Sequence, residues 1–185
     1  MAVALPQGHY SHFPLLQAAR EGNAVEIRRL LASGSDVHAV DGNSWTALHH
    51  AAWEGHAEAA KLLLDAGALP NASNKYNETP LHHAAHMGHG DMVELLHAGG
   101  ADLEARAKRG YTPLHMASMG TQGVTPNARL DAVSKLVSLG ADFHATDEAG
   151  DTPLHAAAGD GHTTVIRHLI AAGANHSIAN SNGSH

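Results

Sequence analysis

The sequence predicts an all-α repeat solenoid of paired antiparallel helices joined by β-hairpin fingers. Three observations carry that prediction. First, an eleven-residue block recurs: TALHHAAWEGH at 46–56 and TPLHHAAHMGH at 79–89 agree at eight of eleven positions, 33 residues apart. The block returns as TPLHMAS from Thr112 and TPLHAAAGDGH from Thr152, and upstream as FPLLQAAREGN from Phe13. Second, an apolar block recurs in phase, as LLASGSD, LLLDAGA, LLHAGGAD, LVSLGAD and LIAAGAN. Third, turn-forming stretches (DGNS, NKYN, AKRG, DEAG) separate the units. A module of this size cannot bury its apolar face alone, so the modules must stack.

Each element has a local reason. Thr46, Thr79, Thr112 and Thr152 are N-caps for a first helix. Pro80, Pro113 and Pro153 follow at the first helical position, where a missing N–H is harmless. His49, His82, His115 and His155 fall at the third position, placed to bond the cap and tie neighbouring units together. Gly55, Gly88 and Gly161 end that helix after about two turns. A second helix follows on apolar spacing such as Ala59, Leu62, Leu63 or Val93, Leu95, Leu96. Gly34, Gly67, Gly100, Gly140 and Gly173 close it. In the fingers, Gly110, Gly150 and Asn77 suit a left-handed backbone.

The expected layout is one repeat domain over 1–185, with units at 8–40, 41–73, 74–106, 107–146 and 147–179 and a polar tail at 180–185. The first unit departs from the pattern, with Phe13 and Leu16 in place of threonine and histidine. The fourth carries 7 extra residues within GTQGVTPNAR, residues 120–129, with Asn127 as the expected cap of its shifted second helix.

A 33-residue period carrying T-P-L-H-x-A resembles the ankyrin repeat family, and the resemblance spans nearly the whole chain. It implies a protein-binding module whose partner lies on the concave side, over the finger tips and exposed ends of the first helices. The positions here that match that face are Tyr10, His12, Trp45, Trp53, Tyr76, His86, Met87, Lys108, Arg109, Tyr111 and Met119. Five of the seven Phe, Trp and Tyr residues fall on such variable positions, and tryptophan and tyrosine are enriched at binding hot spots. Trp53, His86 and Met119 are equivalent in successive units and are expected to form a stripe. Lys75, Lys108 and Arg109 are basic, whereas Glu148, Asp151 and Asp160 are acidic, which suits a partner of opposite polarity.

Composition narrows the function. The 185 residues carry a formal charge of −7, against a nucleic-acid footprint, and no cysteine, against disulfides and thiol chemistry. No apolar run is long enough to span a bilayer. No zinc-protease helix, phosphate loop or nucleophile elbow occurs. The expectation is a monomeric, non-catalytic scaffold or adaptor without cofactor, in cytoplasm or nucleus, binding another protein and neither nucleic acid nor membrane. The alternative is a regulatory or targeting segment of a larger protein or complex.

The chain holds 18 histidines. His82, His83, His86 and His89 have spacing that metals exploit. The structural duties of His82 and His89 weigh against a metal site there, and none is assigned. Buried histidines resist protonation, so acid is expected to loosen the stack.

Overall fold

The computed structural model describes residues 13–121, 123–181 and 183. Among them are ten α-helices in five pairs: α1 (Pro14–Arg20) with α2 (Ala24–Ala32), α3 (Ala47–Glu54) with α4 (Ala57–Asp65), α5 (Pro80–His86) with α6 (Gly90–Ala98), α7 (Pro113–Ser118) with α8 (Pro126–Ser138), and α9 (Pro153–Gly159) with α10 (Thr163–Ala171). Each helix packs on its pair mate, and the odd and even helices form two parallel rows of stacked neighbours. The core runs between the rows, through Leu16, Ile27, Leu48, Leu63, Leu81, Leu96, Leu114, Leu136 and Leu169. Small Ala51, Ala52, Ala84 and Ala157, all wholly or almost wholly buried, let the odd helices approach.

The cap chemistry of the sequence is present at the first helices. Thr46, Thr79, Thr112 and Thr152 form capping boxes with His49, His82, His115 and His155. In each box the threonine N–H donates to the ring Nδ1, at 3.1–3.2 Å. That leaves Nε2 to carry the proton. His49, His82 and His115 direct it at the Glu78, Tyr111 and Asp151 carbonyls of the next finger, at 3.1, 3.0 and 2.9 Å. One ring thus caps its own helix and joins two units. A second ladder runs the other way: His56 Nε2 reaches the Arg20 carbonyl at 3.1 Å and His89 Nε2 the Trp53 carbonyl at 2.9 Å. Gly55 accommodates this contact. Its φ is 79°, and a Cβ there would stand 2.8 Å from the His89 ring.

The fingers that join the units are tight hairpin turns. The described residues contain one isolated bridge, Val40 with Thr46, and no extended strand. Each finger is closed by two backbone bonds: the N–H groups of Asp41, Asn74, Ala107 and Asp147 donate to the Trp45, Glu78, Tyr111 and Asp151 carbonyls, and their own carbonyls accept from Ser44, Asn77, Gly110 and Gly150. Successive tips are linked by Lys75 N–H to Asn43 O, Lys108 N–H to Tyr76 O, and Glu148 N–H to Arg109 O. The side chains of Asp41, Asn74 and Asp147 accept two backbone N–H groups apiece inside their turns. Ala107 has no such acceptor. There Arg106 braces the finger by donating to the Gly110 and Thr146 carbonyls.

The insertion departs from expectation. Thr125, not Asn127, caps α8: its hydroxyl accepts from the Ala128 N–H, and Pro126 opens the helix. Asn127 lies inside the first turn. Much of the added length is helix, so α8 has 13 residues where the other even helices have 9.

Candidate functional site

The indoles of the second unit converge with the third. Trp45 stands in its finger just before the α3 cap, and Trp53 in the last turn of α3. Their ring centroids are 5.7 Å apart and inclined by 56°. Trp45 packs 4.2 Å from His83 and 5.1 Å from His50, while Trp53 lies 5.4 Å from His83 and 6.0 Å from His86. These residues line a groove of about 440 Å³ together with Tyr76, Glu78, Asp41, Asn43 and Met116.

The second histidines of TALHH and TPLHH build the back of the groove. His50 Nε2 is 3.3 Å from Asp41 Oδ2. His83 Nε2 is 3.3 Å from Asn74 Nδ2 and 3.6 Å from Glu78 Oε2. His83 is 2% exposed, and its Nδ1 has no hydrogen-bond partner. Burial holds His50, His83 and His86 below the ordinary imidazole range; at His83 the neighbouring histidines add to the effect. At neutral pH these rings are uncharged, and the charges lining the groove are the carboxylates of Asp41 and Glu78.

The predicted residues therefore divide. Trp45, Trp53, Tyr76 and His86 meet in this groove. Arg109 and Tyr111 border a second cleft of about 410 Å³, with Asp147, Glu148 and Asp151. Lys108 is exposed at the rim, its ammonium 4.8 Å from the Tyr76 centroid. Met87 and Met119 are half-buried at the ends of α5 and α7 and line neither groove, so the expected stripe stops at the Trp53–His86 pair. Tyr10 and His12 lie outside the described residues.

Two of the three acidic positions are not free. Asp160 accepts the Gly120 N–H, and Asp151 accepts from Asn180 Nδ2 at 2.7 Å. In the histidine cluster, His82 and His89 spend their Nε2 atoms on carbonyls. Among the described residues no group of three His, Cys, Asp or Glu is arranged to hold a metal.

Sequence reasoning passed over His50, Asp41 and Met116. The signal was there: the His-His step occurs in units two and three, where units four and five have Met116 and Ala156.

Three family models of ankyrin repeats match the sequence, over residues 15–64, 63–117 and 122–185. The chain belongs to the ankyrin repeat family. None of the curated proteins compared with it matches. Ankyrin repeats are in general protein-interaction modules rather than catalysts, and among the described residues no helix is long and apolar enough to cross a membrane.

Proposed function

We propose that this ankyrin array is a non-catalytic adaptor, acting as a monomer in cytoplasm or nucleus, that binds a protein or peptide across its fingers and first helices. The observation that carries the reading is the groove in which both tryptophans of the chain converge. Trp and Tyr offer large, stiff contact area with a polar handle, at little cost in side-chain entropy. Tyr76 is 51% exposed although it is large and apolar, which suits a surface completed by a partner.

The test compares two faces. Tyr76→Ala with Arg109→Ala alters exposed groove and finger positions; Val25→Ser with Lys61→Ala alters exposed positions on α2 and α4. In affinity capture from native lysate, the first variant is expected to lose the proteins retained by the parent, and the second to keep them. Thermal melts confirm that both are folded. Equal capture by both variants refutes the assigned face.

A further inference from the structure

The groove between units two and three combines aromatic walls with two carboxylates. The assignment of its occupant rests on the binding face proposed above and specifies which part of a partner enters. Its walls are the Trp45 and Trp53 indoles, set at 56° to one another and backed by the rings of His50, His83 and His86. Those backing contacts fix the indoles before any ligand arrives, which reduces the ordering cost of binding. Aromatic faces attract positive charge through their quadrupole, most strongly for tryptophan. The chain already makes such a contact at the rim, where Lys108 rests on Tyr76. Lys108 itself is not among the residues lining the groove.

Charge and hydrogen-bonding capacity then select among cations. The groove contributes two carboxylates and no Lys or Arg. Asp41 is largely spent: Oδ1 accepts the Asn43 and Trp45 N–H groups, and Oδ2 faces His50. Glu78 Oε2 accepts from Asn74 Nδ2 at 2.7 Å, while its Oε1 has no bond among the described residues. An arginine would bring five N–H donors to walls with little left to accept them, and unmet buried donors are expensive. An ammonium brings three, and each methyl group replaces a donor with apolar surface suited to the indoles.

We propose that this groove receives the ammonium head of a lysine from an extended segment of the partner, and holds it more tightly as it is methylated. Because the two tryptophans of the chain are both in the groove, intrinsic fluorescence reports occupancy directly.

The experiment titrates the folded chain with four short peptides that differ at one central residue: norleucine, lysine, trimethyl-lysine or arginine, each in uncharged flanks. Trimethyl-lysine is expected to bind roughly tenfold or more tighter than norleucine, with lysine between them. Glu78→Gln keeps an acceptor for Asn74 and should weaken trimethyl-lysine several-fold. Trp53→Phe should weaken it partially and Trp53→Ala abolish it, with circular dichroism melts confirming the fold of each. Norleucine binding as tightly as trimethyl-lysine, arginine binding best, or no fluorescence response to any of the four overturns the proposal. The broader reading fails separately. If capture depends on Tyr76 and Arg109 but the peptides show no preference for lysine, the face stands and the lysine site falls. If capture is indifferent to the face, both fall.

Discussion

Two joints in this stack use the same histidine differently. Between units two and three, His89 donates to the Trp53 carbonyl at 2.9 Å. Between units four and five, the equivalent His162 finds no partner for its buried Nε2. The equivalent carbonyl, that of Met119, has been taken by Arg129 Nε at 3.2 Å. Arg129 comes from α8, the helix lengthened by the insertion, and is 6% exposed. Burial holds its guanidinium below the ordinary range, with Asp160 acting in the opposite direction. Asp160 in turn accepts the Gly120 N–H, so the inserted segment is tied to the fifth unit. A solenoid can therefore absorb an insertion by passing one carbonyl to a new donor. The imidazole that held it elsewhere then becomes dispensable.

The largest effect should separate a histidine that bonds the neighbouring unit from one that does not. His82 is wholly buried, caps α5 through Nδ1 and bonds the Tyr111 carbonyl through Nε2. His82→Ala leaves both backbone groups unmet and opens a cavity, so urea unfolding should show a loss of about 3 kcal/mol. His162→Ala breaks no hydrogen bond from the ring Nε2 and should cost within about 1 kcal/mol. Similar losses for the two would mean that His162 holds its joint through contacts other than a ring hydrogen bond.

Acid gives the next largest effect. Burial pushes His49 and His82 down to about 4 from 6.5. Below pH 6.5 the unfolded chain takes up protons that the native rings refuse. The stability that these rings confer is therefore complete above that pH and is lost as pH falls toward 4. Each ring should account for about 2 kcal/mol between about pH 7 and 5. Burial lowers His50, His83 and His86 as well, so five such rings gather in units two and three. Hydrogen exchange should show α3 and α5 opening first. A melting temperature that stays flat over this range contradicts the assignment.

The sequence made the fold legible because most units repeat the same local reasons: a threonine cap, a proline at the first turn, a glycine after the last. The five repeats let weak signals reinforce one another. The site was half legible. Trp45, Trp53, Tyr76 and His86 stand at positions where the repeat varies, and variation marks them. His50 and Asp41 were missed because their role arises only when the finger folds back beside α3, nine residues apart in sequence. The cap of α8 was misplaced because Thr125 and Asn127 both suit the role, and the register depends on how the preceding segment docks. Asp151 and Asp160 read as open charges because their partners, Asn180 and Gly120, lie 29 and 40 residues away.

The smallest effect concerns the finger tips, where one repeat position adopts a left-handed backbone in every unit from the second onward. It is occupied by Ser44, Asn77, Gly110 and Gly150, with φ of 63°, 58°, 76° and 79°. Serine bears a Cβ penalty that glycine lacks, so Ser44→Gly should stabilise the chain by about 0.5 kcal/mol after the entropy glycine adds to the unfolded state. The reverse exchange, Gly110→Ala, meets the same penalty and also brings a Cβ to 3.2 Å from the Glu148 nitrogen. It should cost about 1 kcal/mol or more. The two fingers differ in a way that makes the contrast informative. Asp41 braces the Ser44 turn with two side-chain acceptances, whereas the Gly110 turn begins at Ala107 and has none. If Ser44→Gly proves neutral, the brace rather than the backbone preference sets that turn, and Asp41→Ala in the Ser44→Gly background should then cost more than the glycine restores.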